Sequence, residues 1–186
     1  LLLVMPDTVT LRPVAPGDEP FLRALYGSTR ELELAPLGWT ALQVDAFLDM
    51  QFRARQLQYR SQFPGAGDCL VLVGGAPAGR LYVERAEALI RIIDIAIAPG
   101  YRGRGAGTAL LGGLIAEASA GGKVVELHVE STNPAQRLYR RLGFVEAGDV
   151  SPYLRMRWQP RRGEEAPPSM PSRHRRRHGG RRAKLD

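Results

Sequence analysis

Apolar and polar residues alternate from Thr8 to Val14 (TVTLRPV), the period of a strand with one buried face, and the next stretch, PGDEPFLRALYGS, brings acidic residues and a proline to a helix start. Between Thr40 and Gln62, Leu42, Phe47, Leu48, Phe52 and Leu57 fall near helical spacing, which predicts one long helix ended by FPGAG. DCLVLVGGAPAGRLYVER reads as two strands around a Gly-Gly-Ala-Pro turn, and LIRIIDIAIAP as a third strand of the same meander. In GTALLGGLIAEASAGG, Leu110, Leu111, Leu114, Ile115 and Ala118 form one helical stripe that stops at Gly-Gly. Gly112 and Gly113 cost that helix roughly 1 kcal/mol each relative to alanine, which close packing on a sheet would offset. KVVELHVE is a further strand. NPAQRLYRRLG is a helix with Asn133 as N-cap, Pro134 at the first helical position and Gly143 past the end. FVEAGDV and YLRMRW close the chain's regular part as a hairpin, so the order βα(α)βββαβαββ describes a mixed α/β domain without internal repeats.

Composition narrows the class. The 186 residues are 44% hydrophobic, enough for one core, and no apolar run approaches the roughly 18 residues of a membrane span. The opening LLLV is short for an export signal and has no basic leader, and Met5 reads as a start; a cytoplasmic protein is expected. The single cysteine, Cys69, has no internal disulfide partner and reads as a buried, inert thiol. The net charge of +7 is concentrated at one end. Residues 159–186 hold nine Lys/Arg against three Asp/Glu, whereas residues 1–158 hold 17 and 16. The expected division is therefore a folded domain over 1–158 and a basic, disordered tail over 159–186.

The chemistry centres on DIAIAPGYRGRGAGT, where a strand gives way to glycines that open a helix. Helix N-termini expose unpaired N–H groups and the positive end of the dipole, so a phosphate belongs there, with Arg102 and Arg104 placed to add charge-assisted contacts. A Walker loop would need a Gly-Lys-Ser/Thr that is missing, and the dinucleotide fingerprint wants glycine where Thr108 stands. What fits is Arg102-x-x-Gly105-x-Gly107 after an apolar strand ending at Pro99, followed about 30 residues later by LHVESTNPAQRLYRRLGF. Together these two blocks resemble the GNAT superfamily of N-acetyltransferases, strongly from Ile92 to Phe144 and by element order from Thr8 to Trp158.

The resemblance implies a mostly antiparallel central sheet of about seven strands, flanked by about four helices and splayed into a V between the fourth and fifth strands. It implies acetyl-CoA as cosubstrate, with the backbone of Ile95, Ala96 and Ile97 along the pantetheine arm. The N–H groups of Gly103, Arg104, Gly105, Ala106, Gly107 and Thr108 would then hold the pyrophosphate, and Asn133 would touch the arm from the other side. It makes Tyr139, in the LY pair, the acid that protonates the leaving thiolate. His128, where some relatives carry a glutamate, is the first choice of base; Glu130, Asp94, Glu84 or a water relay are alternatives. Arg91 stands where another branch of the family keeps a catalytic glutamate. Tyr139 follows Asn133 by six residues where seven is common, which leaves Asn133 between a ligand contact and a plain N-cap. No metal is implied.

An amine-bearing acceptor would be selected before FPGAG, where Glu31, Glu33 and Trp39 can attract a cation or form a solvated helix end with a core tryptophan; Tyr59 and Tyr82 are further cleft candidates. Two other readings stay open. RHRRRHGGRRAK can make weak, salt-dependent contacts to nucleic acid, and the acyl-CoA site can act as a sensor without turnover. The family resemblance also allows a homodimer, for which the sequence fixes no interface.

Overall fold

Strand β1 (Val9–Pro13) runs into a short 3-10 turn at Pro16–Asp18 and then helix α1 (Glu19–Leu34), whose Leu22, Leu25 and Tyr26 are buried. A computed structural model describes residues 8–160 of the chain; the first seven residues and residues 161–186, which hold all the charged positions of the expected basic tail, lie outside the described residues. Helix α1 reaches further than its opening predicts, so Glu31 and Glu33 lie on its last turns, before a 3-10 turn at Ala35–Leu37. Thr40 then starts α2 (Ala41–Gln62) with a reciprocal cap: its Oγ1 accepts from the Gln43 N–H at 3.3 Å, and Gln43 Oε1 accepts from the Thr40 N–H at 2.8 Å.

The remaining elements follow the predicted order: β2 (Gly67–Val73), β3 (Ala76–Arg85), β4 (Leu89–Ile97), α3 (Ala106–Ala120), β5 (Val124–Glu130), α4 (Gln136–Arg141), β6 (Val145–Val150) and β7 (Tyr153–Trp158). The seven strands form one sheet in the order β1-β2-β3-β4-β5-β7-β6, antiparallel except where β4 meets β5. Val71, Leu81, Ile90, Ile92, Val125 and Leu127 point to the back of the sheet, where α3 and α4 cover them with Leu110, Leu111, Leu114 and Tyr139. On the front, α1 and α2 enclose a smaller cluster around Leu22, Leu25, Tyr26, Phe52 and Leu70.

Three local expectations are corrected. Leu42 and Leu57 are exposed while Phe52 of the same predicted group is buried, because a period of roughly 3.6 residues sets them about 80° and 140° around α2 from Phe52, off the face that packs on the front cluster. Gly112 and Gly113 are not packed against the sheet; a Cβ at either would meet nothing within 4 Å. Finally, α4 begins at Gln136 with Ala135 as N-cap, because Asn133 to Ala135 form a tight turn in which Gln136 N–H reaches the Asn133 carbonyl at 3.3 Å.

Candidate functional site

The parallel pairing of β4 with β5 covers only Leu89–Ile92 against Val124–Leu127. Opposite β3, Tyr82 pairs with Asp94 and Val83 with Ile92, so Ile93 is an extra residue. Such a bulge bends its strand and raises its twist. Beyond it β4 stays with β3, pairing Ile95, Ala96 and Ile97 with Leu81, Arg80 and Gly79, while β5 stays with β7. A V-shaped gap therefore opens between the facing edges of Asp94–Ile97 and His128–Glu130, and no strand among the described residues fills it.

The glycine turn closes the wide end of this gap. After a 3-10 turn at Pro99–Tyr101, Gly103 (φ 74°) and Gly105 (φ 86°) adopt left-handed backbone that glycine alone takes cheaply. A Cβ on either would meet nothing within 4 Å, so the space above them is open. Gly107 has another reason: its Cβ would lie 3.2 Å from Leu138 Cδ2, and glycine lets α3 approach α4. The first protein hydrogen bond of α3 runs from Ala109 N–H to the Gly105 carbonyl at 2.9 Å. Among the described residues, no backbone N–H from Gly103 to Thr108 finds a protein acceptor. Six adjacent donors beside the positive end of a helix form an anion cradle.

The two arginines of the turn are placed differently. Arg102 Nε donates to the Ile97 carbonyl at 2.8 Å and its Nη2 reaches Ser28 Oγ at 3.5 Å, so it joins the end of β4 to α1. Arg104 lies over the Tyr101 ring with its guanidinium 5.8 Å from the ring centre.

Tyr139 stands behind the gap. It is buried, with its ring centre 5.9 Å from that of Phe144, and its hydroxyl makes no hydrogen bond among the described residues. Burial, reinforced by the negative charge of Asp94, pushes its phenol up to about 12. His128 stands at the front, exposed, at the first β5 position beyond the register shared with β4. Glu126 and Glu130 flank it on the same face; Glu126 is buried between Arg157 (3.2 Å) and Arg91 (3.9 Å). Arg91 also holds Glu84 at 2.9 Å. Asn133 turns its side chain inward, Oδ1 accepting from the Ala135 N–H at 2.9 Å.

Several residues of the site escape sequence reasoning. Gln136 is buried, donates from Nε2 to the Glu130 and Ser131 carbonyls (2.9 and 2.8 Å) and accepts from Arg140, which ties the end of β5 to α4. On the front, Arg80 forms a two-pronged ion pair with Asp68 (2.8 and 2.7 Å) and lies 3.6 Å from Asp94. Asp94 accepts from Arg55 of α2 at 2.9 Å, and Arg55 Nε donates to the Tyr59 hydroxyl at 2.7 Å. Both guanidiniums lie over Tyr59, at 5.0 and 5.8 Å. Burial and the Asp94 charge raise the Tyr59 phenol. Only the alternation of Arg80, Tyr82 and Glu84 along β3 could have signalled this cluster, and alternation does not say which partners arrive from α2.

Between α1 and α2 lies a cavity of about 350 Å³ lined by Ser28, Glu31, Leu34, Trp39, Val44 and Leu48. Trp39 is partly exposed, edge-on to Phe47 at 5.2 Å, and so is a wall residue rather than core. Glu33 is paired with Arg30 at 2.9 Å. Since Ser28 both lines the cavity and contacts Arg102, the cavity adjoins the glycine turn.

With this geometry in hand, comparison with known proteins is informative. The family model described as Acetyltransferase (GNAT) family matches residues 31–144. Over 76 residues the chain is 42% identical to an uncharacterised N-acetyltransferase of Methanocaldococcus jannaschii, which covers 40% of this chain and 33% of that protein. The chain thus spans about a third of the length of that curated relative. Among solved structures, the PaiA N-acetyltransferase of Thermoplasma acidophilum in complex with coenzyme A superposes with a TM-score of 0.62 at 14% identity, covering 82% of this chain and 99% of the other. A putative acetyltransferase of Salmonella typhimurium with its cofactor acetyl-CoA gives 0.51 at 24% identity, covering 87% and 98%.

Proposed function

Because the chain belongs to the Acetyltransferase (GNAT) family, we propose that it moves an acetyl group from acetyl-CoA directly to a primary amine of a small molecule or a peptide N-terminus. The observation that carries this reading is the row of N–H groups from Gly103 to Thr108 without protein acceptors, placed at the wide end of the gap between β4 and β5. That cradle fits a pyrophosphate, and the open edge of β4 from Ile95 to Ile97 fits an extended arm. Part of this edge is already engaged, since the Ile97 carbonyl accepts from Arg102. Once bound, acetyl-CoA supplies an activated acyl group: the amine nitrogen bonds to the carbonyl carbon, the carbon–sulfur bond breaks, and the thiolate leaves.

The chain's own residues manage the protons from two sides. His128, exposed at the front of the gap with an imidazole nitrogen able to accept, takes the proton that the attacking amine must lose. Tyr139, behind the gap, faces the leaving sulfur. A phenol near 12 stays protonated, and complete transfer to a thiolate with an ordinary value near 8.5 is uphill by roughly 5 kcal/mol. Tyr139 therefore acts chiefly as a neutral hydrogen-bond donor to the sulfur. Glu31 and Trp39, in the cavity beside the glycine turn, serve to receive a cationic acceptor before it loses its proton.

Calorimetric titration with acetyl-CoA of wild type and Thr108→Glu tests the reading. Thr108 is exposed in the first turn of α3, where a carboxylate complements the helix dipole, so the variant should fold normally while opposing a phosphate. Binding by wild type and at least about tenfold weaker binding by the variant are expected. No binding by folded wild type overturns the proposal, and equal binding by both moves the phosphates elsewhere. Thiol release on adding amines then separates turnover from binding alone.

A further inference from the structure

Helix α2 carries two apolar faces. Its inner face gives Leu48 and Phe52 to the front cluster. Its outer face carries Leu42, Ala46, Met50, Ala54 and Leu57, a ridge at steps of four, four, four and three residues. All five are exposed, the three large ones by 79, 57 and 68%. A helix of a monomer normally turns only one apolar stripe inward, and an outer ridge of this length marks an interaction surface.

We infer that this ridge pairs α2 with α2 of a second copy of the chain, antiparallel about a two-fold axis at Met50. The spacing is self-complementary. With Met50 on the axis, Ala46 of one copy lies against Ala54 of the other, and Leu42 against the turn at Leu57 and Gln58. The two alanine positions allow the helix axes to approach closely, and the leucines close both ends. A two-fold interface requires this reciprocity, in which residue i meets j and j meets i.

Charge selects the direction. Asp45, Asp49, Arg53 and Arg60 run along one flank of the ridge, acidic toward the N-terminus of α2 and basic toward its C-terminus. An antiparallel pair sets the same flank of each copy against the other, which brings Asp45 and Asp49 beside Arg53 of the second copy. A parallel pair would set the charged flank of each copy against the uncharged flank of the other, and no opposite charges would meet across the seam. Within one chain these groups are already matched in part, Asp45 by Arg23 and Asp49 by Arg53 at 3.0 Å and Arg23 at 3.4 Å, and they stay open to solvent, so pairing extends the network without stranding a buried charge. The opposite flank, with Gln43, Gln58 and Ser61, is uncharged. Met50 lies about 160° around α2 from Leu48 and Phe52, so the ridge centres on the side away from the front cluster.

Sedimentation velocity of the full chain over a broad micromolar range should show a dimer, and Met50→Arg should return it to a monomer with an unchanged circular dichroism spectrum. Leu42→Asp, at the end of the ridge, gives the same readout should Met50→Arg disturb folding. Orientation is read by oxidative cross-linking in a Cys69→Ala background. Met50→Cys places its thiols across the axis and should cross-link, whereas Leu57→Cys places them ~21 Å apart along the helices and should not. A wild type that is monomeric throughout, or a dimer indifferent to both ridge substitutions, overturns the interface. Cross-linking through Leu57→Cys overturns the antiparallel arrangement.

Discussion

The two faces of the sheet are built by different means. Behind it, α3 and α4 meet Ile90, Ile92, Val125 and Leu127 with aliphatic and aromatic side chains in one continuous cluster. In front, the corresponding positions of β3 and β4 carry Arg80, Tyr82, Glu84, Arg91 and Asp94, and α2 is attached through Arg55 as well as through Phe52. The back holds the fold by apolar burial, which is nondirectional and tolerant of the partner's identity. The front adds to its smaller apolar cluster paired charges and hydrogen bonds, which are directional and fail when one partner is lost. The difference separates two environments: exposed and polar groups line the front of the gap, and burial behind it raises the Tyr139 phenol.

The comparison breaks most sharply at Arg80, whose side chain is nearly buried between Asp68 and Asp94. Arg80→Leu should lower unfolding free energy by about 3–5 kcal/mol, because two carboxylates lose their common partner. In denaturant titrations, the Arg80→Leu/Asp68→Leu double variant should recover part of that loss. A double variant no better than the single would mean that the front, like the back, is held by packing.

Tyr139→Phe sharpens the other side. Loss of a hydrogen bond made to the leaving sulfur should reduce kcat by about 100-fold with little change in KM for the amine. Unchanged kcat would reduce Tyr139 to a packing residue. The same variant reports the alkaline behaviour: a folded value of about 12 lies above the ordinary phenol value near 10. The neutral form is thus favoured by the fold, and the stability it brings is complete below pH 10 and lost as pH rises through 12. In the phenolate absorbance titration of wild type, a late-ionising tyrosine should appear that Tyr139→Phe removes.

The smallest effect is expected in α3. Gly113→Ala enters open space and removes the backbone entropy cost of glycine in a helix, so it should stabilise the protein by up to about 1 kcal/mol in thermal or denaturant melts. A destabilised variant would show that α3 requires the smaller residue after all.

Much of this molecule is determined by local sequence. The strand and helix order, the Thr40 cap, the glycine turn before α3 and the family resemblance all rest on patterns a few residues long, since period, capping and left-handed backbone are local properties. Other features were decided by the tertiary structure. The gap needs the Ile93 bulge and two strands that choose different neighbours. The Arg55–Asp94–Arg80–Asp68 chain joins α2 to three strands, and spacing along one element cannot announce a partner on another. The same limit explains α2, where Leu42 and Leu57 fit a helical period yet lie off the face that carries Phe52. A period identifies a helix; only the packed neighbours decide which of its apolar stripes is inside.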